Sequence, residues 1–406
     1  MPAPPPPPPS PAPGTTLDPS NIRVLRPLGK GATGTVLLVH DSVSDPSAAS
    51  PFALKLIESA SSSSSARNRL LHEASVLSLL TARPHPFLPS LVGGCNCLLV
   101  RDDLVAFALP YCPGGDLHVL RGQLPDRVFS TSSLRFYLSE ILSALRHLHS
   151  LGLAFRDLKL ENILIQWSGH LTLADFDLSK HLPPPPSHGS ANFSPRPESN
   201  SDPKPLLKPG LSLRKVKTST ARVSPVSRRR QSLSGKSYSF VGTEEYIAPE
   251  VIRGDGHGFA VDWWALGVLA YEMSFGKTPF KGRTKKETFR NVLVKPVHCP
   301  GRRTALTDLI NQLLAKDPSE RLGYSRGAEE IMEHEFFRGV RWDILAEIAR
   351  PPFIPPSIDD HAEETTMQGM DLMEYLKRSR EPEPASRCCS FSDGRPAGLR
   401  GRGRVT

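Results

Sequence analysis

The chain has no apolar run approaching the ~20 residues that a membrane helix needs, and its first stretch, MPAPPPPPPSPAPG, lacks the apolar segment of a leader peptide. Both absences make a soluble, intracellular protein the expectation. Cysteine is scarce. Cys95, Cys97, Cys112, Cys299, Cys388 and Cys389 fit no zinc spacing, and their scatter is unlike a disulfide framework, so a reducing compartment is expected. Acidic residues are almost missing from one segment. Residues 181–236 hold eleven Lys and Arg against two Asp and Glu, whereas the rest of the chain is balanced at 39 of each sign. That excludes a uniformly basic nucleic-acid binder and leaves a neutral protein carrying a basic insert.

Proline, in contrast, is about twice its ordinary usage, with 41 in 406 residues. It gathers in the N-terminal tail, in residues 181–209 and towards the C-terminus. Residues 1–20 read as an extended polyproline tail without a core, and 21–337 as the folded part, interrupted by a disordered basic insert at 181–236. Residues 338–378 read as an extension and 379–406 as a disordered basic tail.

The most informative stretch is AFRDLKLENILIQWSGHLTLADFD, Ala154 to Asp177. Asp157, Lys159 and Asn162 fall within six residues, and a second acid, Asp175, follows two short apolar runs. Solvated loops carry such residues by chance. Here, however, the spacing is that of a phosphoryl-transfer site: a base to orient a hydroxyl, a cation for phosphate, and an amide and a carboxylate for Mg²⁺. Four further motifs occur along the chain, before and after this stretch, in the order such a site requires. Gly29, Gly31 and Gly34 form G-x-G-x-x-G between two strand-like runs, where only glycine lets backbone N–H groups come close to phosphates. In PFALKLIE, Lys55 lies on the strand face opposite Phe52, Leu54 and Leu56. In the next helix Glu73 shares a core-facing stripe with Leu70, Leu77 and Leu80, and a carboxylate there needs a partner, for which Lys55 is the natural one.

LVAFALPYCPGGDL reads as a buried strand entering a hinge, and Thr131 to Ser150 as a core helix striped with Leu134, Leu138, Ile141, Leu145 and Leu148. His147 and His149 near its end read as capping or surface residues. GTEEYIAPE closes an activation segment, and DWWALGVLAYEM reads as a buried pillar whose Asp262 anchors the catalytic loop. Arg321 is the expected partner of Glu250.

With these motifs in place, the chain from Asn21 to about Phe337 resembles a protein kinase. S-F-V-G-T-x-E-Y-x-A-P-E at Ser239–Glu250 and R-P-P-F-I-P-P at Arg350–Pro356 are similar to the AGC serine/threonine kinases. Asp177 in place of the glycine of D-F-G, together with the 56-residue insert, resembles the plant AGC VIII family, most similar to its UNICORN type, with the PINOID and WAG types next. Leu160 stands where most such kinases have proline, and the C-terminus lacks F-x-x-F.

The resemblance implies an α+β, bilobal fold with a small β-rich N-lobe and a larger α-helical C-lobe, a monomer that transfers the ATP γ-phosphate to Ser or Thr. Leu28, Gly29, Gly31, Gly34, Val36, Lys55, Glu73, Leu109, Tyr111 and Cys112 would then bind ATP. Asp157 and Lys159 would be catalytic, and Asn162 and Asp175 would hold Mg²⁺. Asp116, Glu161 and Glu272 would select protein substrates with Arg upstream of Ser or Thr. Arg156 would await a phosphate on Ser239, with Ser237 the weaker candidate, and a 3-phosphoinositide-dependent kinase would supply it. Arg228-Arg229-Arg230-Gln231-Ser232-Leu233 matches the preferred substrate form, so Ser232 is expected to be autophosphorylated. Residues 204–236 would contact acidic membrane lipid or the nuclear import machinery, giving a cytoplasmic and nuclear enzyme with peripheral membrane association. The alternative is a pseudokinase-like scaffold that recruits partners or membrane through the insert.

Overall fold

The computed structural model describes residues 18–31, 34–42, 51–58, 64–93, 99–100, 104–182, 236–348, 351–355 and 369–380. Residues 183–235 of the insert, Ser232 among them, and the adjacent Cys388 and Cys389 lie outside them, whereas at the expected start of the insert His181 belongs to a strand paired with Leu153 and Leu182 is buried. The N-terminal lobe is an antiparallel sheet of β1 (Ile22–Gly31), β2 (Gly34–Asp41), β3 (Phe52–Glu58), β4 (Leu99–Val100) and β5 (Leu104–Pro110), with α1 (Ser64–Ala82) packed on it. β1 and β2 meet with Gly31 opposite Gly34. Gly34 has φ +132°, and a Cβ there would stand 2.3 Å from the Leu56 carbonyl oxygen, so no other residue fits this corner. In β3 the alternation holds: Leu54 and Leu56 are buried on one face, and Lys55 points the other way toward α1.

The C-terminal lobe contains α2 (Leu117–Gln123), α3 (Thr131–Ser150), the short strands β6 (Leu153–Ala154), β7 (Ile163–Ile165), β8 (Leu171–Leu173) and β9 (Lys180–His181), and then α4 (Pro249–Arg253), α5 (Ala260–Phe275), α6 (Lys285–Val294), α7 (Ala305–Leu313), α8 (Ala328–Met332) and α9 (Leu345–Ile348). The predicted stripe of α3 is wholly buried. In α5 every residue from Ala260 to Met273 is buried, as expected of a helix that is apolar all round and carries the core. Two-residue and three-residue strands suffice for the catalytic loop because they pair across it, β6 with β9 and β7 with β8.

Three features differ from the expectations. Ordered structure starts before Asn21: Asp18 accepts a hydrogen bond from Ser20 N at 3.0 Å and caps a 3-10 turn, Pro19–Asn21, in which Pro19 is buried. A proline at the first helical position after an aspartate cap is preorganised for this turn. His149 is not a surface residue. Its Nε2 lies 2.7 Å from an Asp262 oxygen, and its ring packs against Phe259 and Trp263. The C-terminal extension completes the N-lobe. Pro351 and Phe353 lie against Gly169, whose φ is +82° and whose Cβ would stand 2.5 Å from the Phe353 oxygen. Further on, β10 (Met370–Asp371) pairs with the outer edge of β1, and α10 (Leu372–Arg380) buries Leu372 and Leu376 beside Ile22 and Val24. Arg23 and Asp371 close this contact at 2.7 Å, and the helix runs two residues into the expected tail.

Arg321 makes a bidentate pair with Glu250 at 2.8 and 2.9 Å and also donates to the Ala260 carbonyl, all of it buried. Replacing one partner leaves the other as an uncompensated buried charge. Arg321→Met is therefore expected to cost about 3–5 kcal/mol in chemical denaturation, and a loss below about 1 kcal/mol, the level of an exposed pair, would show the pair to be dispensable.

Candidate active site

A cavity of about 410 Å³, within the range of small-molecule sites, lies beside the hinge and is lined by Phe52, Val92, Leu109, Tyr111, Leu164 and Asp175 among others, while Val36, Lys55 and the glycines of β1 and β2 do not line it. Leu28, Gly29, Gly31, Gly34 and Val36 lie on β1 and β2, with Gly29 opposite Val36, and Ala32 and Thr33 at the tip lie outside the described residues. Burial pushes the Cys112 thiol up to about 12, which favours its neutral form at the hinge.

Lys55 links the lobes. Its Nζ lies 2.7 Å from Glu73 Oε2 on α1 and 2.9 Å from Asp175 Oδ1, which follows β8. Burial by itself would lower the Lys55 pKa, but the two carboxylates together raise it, and the ammonium stays charged. Burial raises Glu73 to about 7 against the opposing pull of Lys55. Asp175 adopts φ +64°, and its side chain remains one-third exposed on the cleft.

The catalytic loop is ordered by side chains from a distance. Asp157 is buried; its Oδ2 accepts from Lys159 Nζ and Asn162 Nδ2, both at 2.9 Å, and its Oδ1 accepts from Thr243 Oγ1 at 2.9 Å. Asn162 Nδ2 also donates to the Asp157 carbonyl at 2.9 Å, so its amide nitrogen is fully used and its carbonyl oxygen remains as a donor atom for a cation. One amide oxygen and one partly exposed carboxylate make a hard, all-oxygen set, which fits Mg²⁺. Thr243 bridges Asp157 and Lys159, since Lys159 donates to it at 3.1 Å. It is a candidate site residue that sequence reasoning passed over; its position after the glycine of V-G-T was the available signal.

Asp262 accepts from the backbone N–H of Phe155 at 2.9 Å and of Arg156 at 2.7 Å, the anchor that its place at the start of α5 suggested. It holds Arg156 at φ +69° and directs its guanidinium to the activation segment. There Arg156 Nη1 lies 2.6 Å from Ser239 Oγ, 3.2 Å from Ser237 Oγ and 3.4 Å from His257 Nε2, while Lys180 Nζ donates to Ser237 at 3.0 Å. Burial lowers Arg156 to about 10, and burial with the Arg156 charge lowers His257 to about 4. The cluster has two cations facing two hydroxyls and, among the described residues, no carboxylate hydrogen-bonded to either serine. Lys180 and His257 come from distant segments and carried no local signal.

The three acids assigned to substrate arginines do not form an open trio. Glu272 is buried and already paired with Arg121 at 2.5 Å, and Tyr246 donates its hydroxyl to the second oxygen. A buried carboxylate must be paired, and α2 brings Arg121 to it. Asp116 caps α2 by accepting from Val119 N at 2.8 Å. Glu161 alone stands half-exposed, 3.5 Å from His118.

The protein kinase domain model matches residues 22–196 and 226–337. The chain is 54% identical over 379 residues to serine/threonine-protein kinase UCN of Arabidopsis thaliana, covering 91% of this chain and 92% of that protein. It is 52% identical to UCNL of the same plant, covering 90% of each, and 42% identical to OXI1, covering 84% of this chain and 81% of that one. Nothing in these relationships favours a scaffold without activity. The chain belongs to the protein kinase family, as a serine/threonine-protein kinase of the plant AGC VIII group.

Proposed function

We propose that Asp157 orients the attacking Ser or Thr hydroxyl, that Lys159 and Lys55 offset phosphate charge, and that Asn162 and Asp175 are the ligands of Mg²⁺. The observation that carries this reading is the convergence of Lys55, Glu73 and Asp175 within 2.9 Å beside an Asp157 whose oxygens are held by Lys159, Asn162 and Thr243. When bound, ATP and Mg²⁺ supply the transferable phosphoryl group and much of the compensating charge. The chain supplies position: a carboxylate fixed by three donors loses no further freedom when a hydroxyl arrives.

Substrates with Arg upstream of the acceptor are supported by Glu161 and by the second oxygen of Asp116, while Glu272 takes part only where a substrate arginine displaces Arg121. Ser232 and residues 204–236 keep their proposed roles as an autophosphorylation site and as a contact for acidic lipid or nuclear import. A 3-phosphoinositide-dependent kinase is the proposed activator, and cytoplasm and nucleus the proposed compartments.

Purified full-length protein with Mg²⁺ and ATP is expected to phosphorylate an R-R-x-S peptide in preference to A-A-x-S, and Asp157→Asn to lower the rate by about a thousandfold. Full activity in that variant would remove Asp157 from its role, and equal rates on both peptides would remove the arginine preference. Ser239→Ala is expected to leave much reduced activity, because Arg156 and Lys180 then have no phosphate to gather round. An unchanged rate would mean that the segment orders without one.

The Lys55–Glu73 pair makes activity pH-dependent. The folded pKa of Glu73 is raised from 4.5 to about 7, so its stabilising contribution is full below the unfolded value and is lost as pH rises through about 7. Catalysis runs the opposite way, because only the charged carboxylate holds Lys55. At subsaturating ATP the rate is expected to fall between about pH 8 and pH 6 with a midpoint near 7, and Glu73→Gln to be slower and flat. A wild-type inflection surviving in Glu73→Gln would assign it elsewhere.

A further inference from the structure

Asp177, where this chain departs from the glycine of D-F-G, is buried, its side chain 2% exposed. It forms an ion pair with Arg69 of α1, which lies one helical turn before Glu73. Two other α1 side chains reach the same segment: Glu73 Oε1 accepts from Phe176 N at 3.4 Å, and His72 Nε2 lies 2.8 Å from the Ser179 carbonyl oxygen. Arg69, His72 and Glu73 thus fasten little more than one turn of α1 to residues 176–179. The immediate charge set is three acids, Glu73, Asp175 and Asp177, against two cations, Lys55 and Arg69. A buried carboxylate between two others is costly without its own cation, so its presence calls for a gain elsewhere.

We propose that Asp177 and Arg69 are a positioning pair for phosphoryl transfer, a catch that seats α1, and with it Glu73 and Lys55, against the metal-binding strand end. Glycine at 177 has no side chain to make this contact. The catch acts through Lys55, so its effect falls on the use of ATP rather than on the peptide. The same segment also meets the Arg156–Ser239 cluster, since Arg156 Nε donates to the Leu178 carbonyl at 2.8 Å.

The proposal rests on the catalytic reading above, and its test separates the two. Initial rates against ATP and against peptide are measured for full-length wild type, Arg69→Ala, Asp177→Gly, the double variant and the charge swap Arg69→Asp with Asp177→Arg, with Asp157→Asn as the inactive control. ATP binding is measured directly on each. Each single variant is expected to raise the KM for ATP and to lower kcat/KM for ATP about tenfold while leaving the KM for peptide unchanged. The double variant is expected to lose no more than the worse single, and the charge swap to recover most of the loss. Additive losses, an unchanged kcat/KM in Asp177→Gly, or equal effects on both substrates would overturn the catch while the wild-type activity stands. Arg69→Lys, which keeps the charge at a partly exposed site, is expected to be intermediate, and a loss equal to Arg69→Ala would also count against the pair. Absence of transfer by wild type would instead overturn the catalytic reading.

Discussion

The carboxylate of Asp262 is fully buried at the start of a helix buried from Ala260 to Met273, and it is affordable there only because Phe155 N–H, Arg156 N–H and His149 all meet it. The residues proposed for catalysis are hung from this point. Two fixed amides set the backbone of Arg156 in the left-handed region, and that single rotation sends Arg156 toward the activation segment and Asp157 toward the cleft. The helix contributes rigidity, since α5 is packed on every side and has no freedom to follow a moving loop.

From that anchor two electrostatic systems diverge. The first is rich in acids: Lys55, Arg69, Glu73, Asp175 and Asp177 join α1 to the cleft and leave one carboxylate partly open to a cation. The second is rich in cations: Arg156 and Lys180 face two serine hydroxyls. A surplus of one sign beside the cleft and of the other beside the activation segment is the charge pattern that the proposed metal and nucleotide binding and the proposed phosphate switch call for.

The N-lobe depends on chain far away in sequence. β1 would be a bare sheet edge were it not paired with β10, and Ile22 and Val24 would face water without Leu372 and Leu376. The Pro351–Pro355 segment beside Gly169 carries the chain from one lobe toward the other, so the extension is a structural part of the catalytic unit.

Much was legible from the residues alone, because the physics there is local. The strand alternation around Lys55, the stripe of α3, the largely apolar α5, the glycines between β1 and β2 and the spacing of Asp157, Asn162 and Asp175 each follow from periodicity or from what a short loop can hold. Pairings whose partner was forced by cost were also foreseeable: Glu73 with Lys55, and Glu250 with Arg321. Other features depended on which distant segments the fold brings together, and no periodicity records that. Asp116 has the same composition whether it meets a substrate arginine or caps its own helix, and Glu272 gives no sign that α2 will deliver Arg121 to it. Arg69 reads as one more charge on a polar helix face until Asp177 is folded beneath it. Residue type and spacing determined the chemistry this chain is equipped for; burial, which makes every charge find a partner, decided in three dimensions which of those charges remained open to do it.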